Sequence, residues 1–278
     1  MKRMRLYNLG MMIGGTLGRV YRRCGMLSQA IAYNMFLSFF PTLLIAVAFA
    51  TSQAGSKTGL LDLIEHLTAY VPPSSRQLVA DYITRRAPHV WRWTLFGLSV
   101  TLVAGSQVMK LIMEGIRRIY GDRQGFSYLR RQLRGLLLLC ITIALLLVAA
   151  ILSVFGRPLR RWLLREWGSP LPLRGLWNVF FVAAAMVLAM AALTVIYRLA
   201  RPAARSWRAV LPGAVVATLL WWAVNALFGF YVRRIQYGAV YGGVAAVVGL
   251  LVWMYISAVV VFVGAAWNAE LADAPERG

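Results

Sequence analysis

Six apolar stretches of roughly 20 residues constrain this chain more than any other feature. They lie at about 30–50, 93–116, 134–155, 176–198, 209–232 and 243–268. Each is long enough to cross the ~30 Å hydrocarbon core of a bilayer as a helix. A helix bonds all of its backbone N–H and C=O groups within the segment, as hydrocarbon demands. The chain is therefore expected to be an all-α integral membrane protein. Its fold is a bundle of six transmembrane helices with short interfacial and periplasmic helices. The spans occupy about half of the 278 residues. The remainder holds no independent soluble domain, so residues 1–278 form a single membrane domain.

Charge supports the same reading. Only 14 % of the residues are charged, against about a quarter in a soluble domain. The formal net charge is nevertheless +21. In a soluble protein that excess points to nucleic acid. Here no fold is left over to hold one. The arginines gather at span ends, where they meet anionic headgroups and set orientation. The expected partners are membrane lipids, with anionic headgroups at a basic cytoplasmic rim, and no nucleic acid. With the N-terminus inside, the cytoplasmic side carries 17 Lys and Arg, the other side carries 12, and Lys110 lies within span two. That bias places both termini in the cytoplasm.

The connecting segments carry their own signals. MKRMRLYNLGMMIGGTLG has too weak an apolar run for a cleavable signal, and Arg19, Arg22 and Arg23 follow it. Residues 1–29 are expected to form a short amphipathic helix along the membrane surface. In the periplasmic loop, 51–92, LLDLIEHLTAYV (60–71) has helical periodicity and ends at Pro72 and Pro73. Ser74 or Ser75 can cap a second helix, RQLVADYITRR, by accepting from its first free amides. RPLRRWLLREW (157–167) reads as an outer interfacial helix with its arginines at the headgroups, and 269–278 as a cytoplasmic tail. Cys24 and Cys140 lie in unrelated segments, so no disulfide or metal framework follows.

Inside the spans, polar residues repeat three and four apart and so share helix faces. Span one places Asn34, Ser38, Pro41 and Thr42 on one stripe, in the first half of AIAYNMFLSFFPTLLIAVAFA. Helix packing explains such a stripe, because Ser, Thr and Asn bond across helices; so does a wetted cavity. Span two carries Gln107, Lys110 and Glu114 on one face, extended by Arg117. Ionisable groups within a span are functional candidates by default, although this pair lies near the span's end. Span five offers Asn225. Span six carries the small-residue strip Gly242, Ala246 and Gly249, then Gly264, Asn268 and Glu270. Span three is almost wholly aliphatic and is expected at the periphery, together with span four. Asn34, Lys110 and Asn225 are expected to line one shared chamber, open toward the cytoplasm and closed by apolar packing toward the outside.

Several stretches resemble the YihY/BrkB family of bacterial inner-membrane proteins. AIAYNMFLSFFPTLL is similar to that family's Ala-Tyr, Ser, Phe-Pro opening. WRAVLPGAVVATLLWWAVNALFGFYV (207–232) resembles its Leu-Pro-Gly-Ala span. YGAVYGGVAAVVGLLVWMYISAVVVFVGAAWNAEL (237–271) resembles its ending, and IRRIYG (116–121) the end of its second span. At Glu114-Gly115 the chain departs from the leucine-asparagine pair the family often shows there. The resemblance implies six spans in the bacterial inner (plasma) membrane, both termini inside, and a link to virulence and envelope lipid export.

The old label of ribonuclease for that family finds no support in the residues. A metal-dependent nuclease needs clustered His, Asp or Glu. The two histidines, His66 and His89, lie in the outer loop, and the nine acids are scattered. No phosphate-binding Gly-rich loop is present. The expectation is therefore no metal, no cofactor and no enzyme. The expected activity is transport of an amphiphile such as an anionic lipid. A small-solute channel and a non-catalytic scaffold for envelope assembly are the alternatives.

Overall fold

The computed structural model describes residues 2–53, 90–122, 127–167, 173–201, 206–234 and 242–273. These form six helices: α1 Lys2–Gln53, α2 Val90–Tyr120, α3 Tyr128–Trp167, α4 Leu173–Leu199, α5 Trp207–Arg234 and α6 Gly242–Asp273. No strand occurs among the described residues. The loop helices expected at 60–71 and 76–86 lie outside them.

Four of the helices hold a segment long and apolar enough to cross a membrane: Leu95–Tyr120, Val182–Leu199, Trp207–Val232 and Val247–Asp273. α1 differs from expectation. It is one unbroken helix of 52 residues. At 1.5 Å per residue it is about 78 Å long, more than twice the hydrocarbon thickness. The N-terminal segment is thus no separate surface helix but a continuation of span one. α3 likewise runs on through 157–167 to Trp167, and α6 continues through Ala269 and Glu270 into the expected tail.

α1 to α5 each pack chiefly on a neighbour in sequence, α6 closes the ring by packing most on α1, and α2 touches α6 across it. Sequence explains where these contacts are closest. Gly115 of α2 faces Phe262 of α6, and any Cβ at Gly115 would overlap that buried ring. A second crossing joins Gly213 of α5 to Gly264 of α6. A Cβ on Gly213 would overlap the Gly264 carbonyl, and one on Gly264 would overlap the Tyr197 hydroxyl of α4. Small residues bring helices this close because lipid tails offer no hydrophobic drive; contact area and hydrogen bonds supply it. The Tyr197 hydroxyl donates to the Val261 carbonyl at 2.7 Å. α4 therefore enters the core rather than lying at the periphery. Cys24 seals the α1–α2 contact; burial pushes its thiol up to about 11, against the pull of Arg118 and Arg23, so it packs as a neutral group.

α2 ends by a defined device. Gly121 has φ +73°, its N–H bonds the Arg118 carbonyl, and the Asp122 N–H bonds the Arg117 carbonyl. This is the glycine-dependent helix stop in which a left-handed residue turns the chain and satisfies the last carbonyls. Arg23 of α1 donates to two more carbonyls at that end, Arg118 at 2.6 Å and Ile119 at 3.1 Å. The exposed negative end of the helix favours a cation there.

Candidate functional site

The helices alternate in direction, so Arg19, Arg118, Arg131, Arg198, Arg208 and Glu270 come to one end of the bundle. Every fully buried described residue lies toward that arginine-rich end. The buried segments are 16–32 of α1, 104–119 of α2, 135–139 of α3, 192–200 of α4, 210–218 of α5 and 254–270 of α6. The end expected to be an open polar chamber is instead the solid part of the molecule, filled by Ile31, Met113, Ile116, Leu138 and Phe262.

Acids are scarce, and all four whose side chains are described are ion-paired. Glu270, 5 % exposed, accepts from Arg19 Nε at 2.6 Å, and Asp273 accepts from Arg19 Nη2 at 2.6 Å. Burial works against the Arg19 charge, but its bonds to Asp273 and Glu270 outweigh that and raise its pKa. Asp122 holds Arg201 through both oxygens, at 2.7 and 2.8 Å. Glu114 is held by Arg118 at 3.1 Å and Arg117 at 3.3 Å, with Arg131 of α3 at 4.0 Å. These links run from α1 to α6, from α2 to the end of α4, and from α2 to α3. They fasten the arginine-rich end. Among the described residues no three of His, Cys, Asp or Glu gather into a metal-binding group.

Asn268 is the most constrained of the residues singled out from sequence. It is 2 % exposed. Pro212 has no amide proton, and its ring crowds the carbonyl one turn back, which loosens the first turns of α5. Asn268 occupies that break: its Oδ1 accepts from the Gly213 N–H at 2.7 Å, and its Nδ2 donates to the Val210 carbonyl at 2.9 Å. Both ends of the amide are committed to backbone, which makes Asn268 a clamp between α5 and α6.

Asn34, Lys110 and Asn225 fall in three separate settings. Asn34, Ser38 and Pro41 continue the stripe Leu27, Ile31, Asn34, Ser38, Pro41, Ile45 along α1. Pro41 and Ile45 meet Gly97 of α2, and Thr42 Oγ1 lies 3.3 Å from Thr101 Oγ1. Asn34 and Ser38 bond carbonyls of their own helix, Ala30 at 2.8 Å and Met35 at 2.9 Å. Gln107 is exposed, and Lys110 Nζ donates to Gln132 of α3 at 2.8 Å on an exposed flank. Asn225 bonds its own helix at Trp221 and accepts from Trp253 Nε1 of α6 at 3.0 Å. No shared chamber joins the three among the described residues. Gly249 makes ordinary contact with Phe228, while the side chains at 242 and 246 lie outside the described residues.

The opposite end is held differently. There α1 stays on α2 through Thr42–Thr101 and Pro41–Gly97, and α5 stays on α6 through Asn225–Trp253 and Phe228–Trp253. Val244 lies 18 residues, about five turns, before Phe262, and Val252 the same distance before Glu270, so each pair of positions shares a face. At the arginine-rich end those faces meet Gly115 of α2 and Gly15 and Arg19 of α1. At the other end Val244, Val248 and Val252 are 65 %, 53 % and 48 % exposed. Sequence reasoning missed this uncovered valine face and also missed Arg19, Arg201 and Asp122. The excess of thirty basic over nine acidic residues held one usable signal: in such a chain each acid has many cations to pair with.

Helices of this length and hydropathy, bound through arginine–carboxylate pairs at one end, define a multi-pass helical membrane protein. The chain belongs to the virulence factor BrkB family, which it matches over residues 20–278. It is 29 % identical over 247 residues to the ribonuclease-like protein YfkH of Bacillus subtilis (strain 168), with 88 % of each chain covered. It is 29 % identical over 262 residues to a UPF0761 membrane protein of Alkalilimnicola ehrlichii, covering 91 % of this chain and 56 % of that one. A UPF0761 membrane protein of Nitrosospira multiformis is 27 % identical over 257 residues. The chain thus spans little more than half the length of the UPF0761 relatives. No solved structure matches.

Proposed function

We propose that this protein moves an amphiphile, of the class of an anionic envelope lipid, across a bacterial inner membrane, with both termini in the cytoplasm. The acyl chains run along a crevice that this reading places between the α1–α2 pair and the uncovered valine face of α6. One observation carries this reading: α6 leaves Val244, Val248 and Val252 uncovered on the faces it buries elsewhere. An aliphatic wall at the depth of a span suits hydrocarbon rather than water. A channel loses its support, since Asn34, Lys110 and Asn225 do not line one path.

The test is lipid transfer in vesicles that hold the purified protein and a fluorescent phosphatidylglycerol in the inner leaflet. The wild type is expected to bring the label within reach of an external quencher faster than protein-free vesicles do. Val248→Trp, which fills the crevice, is expected to slow that transfer with thermal stability retained. Transfer no faster than in protein-free vesicles overturns the proposal. That result favours a second reading, a scaffold for envelope assembly, which the solid arginine-rich core also supports.

A further inference from the structure

Two arginines three residues apart, Arg198 in the last turn of α4 and Arg201 just beyond it, have different surroundings. Arg201 lies 3.8 Å from the centre of the Tyr120 ring and is held by both oxygens of Asp122. Ring and carboxylate together complete its shell. Arg198 also lies over an aromatic ring, that of Trp207 at 5.6 Å. No carboxylate pairs with it among the described residues, and its Nε is buried without a hydrogen-bond partner. A buried donor left unpaired is costly. Arg198 thus has the same kind of surroundings as Arg201, lacking the anion.

The neighbourhood is set for an anion. Arg134 of α3 donates to the Leu199 carbonyl at 3.4 Å, which brings a second guanidinium beside the end of α4. Arg208 follows Trp207 and has no carboxylate partner among the described residues. Across this end of the bundle, eleven arginines with described side chains face four carboxylates, and those four are already paired. No described acid is left to serve Arg198.

Depth identifies the anion's source. Arg198 lies in the last turn of the span Val182–Leu199, and Trp207 opens the span Trp207–Val232. Trp207 is 52 % exposed. Tryptophan and arginine at a span boundary sit at headgroup level. A guanidinium binds phosphate through paired N–H groups, and a ring beneath it fixes its plane.

We infer that Arg198, Trp207 and Arg134 form a binding site for the phosphate of an anionic phospholipid in the leaflet at the arginine-rich end. The phosphate turns the Arg198 guanidinium toward it and takes the place that Asp122 fills for Arg201. The site stands apart from the valine-lined crevice and does not require transport.

Native mass spectrometry of the full chain, released from nanodiscs of equal phosphatidylglycerol and phosphatidylcholine, tests this. The wild type is expected to retain phosphatidylglycerol in preference. Near a membrane surface an arginine contributes ~1 kcal/mol to anionic-lipid attraction, so Arg198→Ala is expected to lower that retention about fivefold. Arg198→Lys is expected to restore part of it, and serves also if the alanine variant does not fold. Arg201→Ala is the control: it is expected to lower thermal stability while leaving the lipid preference in place. Equal retention by wild type and both Arg198 variants overturns the inference. Displacement of the lipid by inorganic phosphate alone overturns the lipid as source and assigns the site to a free anion.

Discussion

At the arginine-rich end, α1, α2 and α6 meet without gaps, and each described carboxylate is bonded to a guanidinium. At the opposite end α1 and α2 meet through two threonines and a proline beside a glycine, and α5 and α6 through a tryptophan–asparagine bond and a neighbouring phenylalanine. What differs is close approach. Gly115, Gly213 and Gly264 let backbones touch, and Asn268, Tyr197 and Arg19 then bond across the contact. Toward the other end such pairs are few, and the helices are free to separate. A membrane protein needs such a division if one part is to hold shape while another changes it.

Three substitutions would break or sharpen this contrast. Asn268→Leu is expected to cost the most. It removes both bonds from Asn268 to the buried Gly213 N–H and Val210 carbonyl, worth up to ~1.5 kcal/mol each. A loss of about 3 kcal/mol, read as a large fall in unfolding temperature or as loss of monodisperse protein, is the expected result; a loss near zero would show that the α5–α6 crossing does not depend on the clamp. Arg19→Ala comes next. Removing one member of a buried ion pair costs ~3–5 kcal/mol, but Arg19 keeps some access to water, so about 2 kcal/mol is expected. Denaturant titration in mild detergent measures it, and Glu270→Gln should match it within a factor of two if the pair is the cause. Trp253→Phe is expected to cost the least. It removes the bond to Asn225 and keeps the ring contact, and such bonds in membrane proteins average about 0.6 kcal/mol. Should Trp253→Phe prove as costly as Asn268→Leu, the division into a fastened end and a loose end would fail.

Much of this fold was legible before any coordinates. Local hydropathy located α2, α4, α5 and α6 within about five residues at each end but fell well short of the full lengths of α1 and α3, and the sequence IRRIYGD already held the glycine that ends α2. Other features were not legible. α1 carries basic residues through its first half, which reads as a surface segment, yet it continues the span, because Arg19 and Arg23 find partners on α6 and α2 that lie far away in sequence. Asn268 and Asn225 look alike as single amides in apolar helices. One is buried against a break made by Pro212, and the other pairs with an indole at the edge of the crevice. The stripe of Asn34, Ser38 and Pro41 was read correctly as a shared face, but a shared face does not reveal what it meets.

Sequence alone determined the class: long apolar runs can be satisfied only by helices in a membrane, and the clustered arginines mark their ends. It also determined the family, through motifs carried in order along the chain. Only the tertiary structure decided which side of each helix turns inward. The physical reason is that lipid tails and a protein core are equally apolar. α4 and α6 are apolar all round, so no amphipathic pattern separates the face that meets Gly115 or Gly213 from the face that meets lipid. That choice rests on backbone approach and on bonds between distant residues, which become visible only when the helices stand side by side.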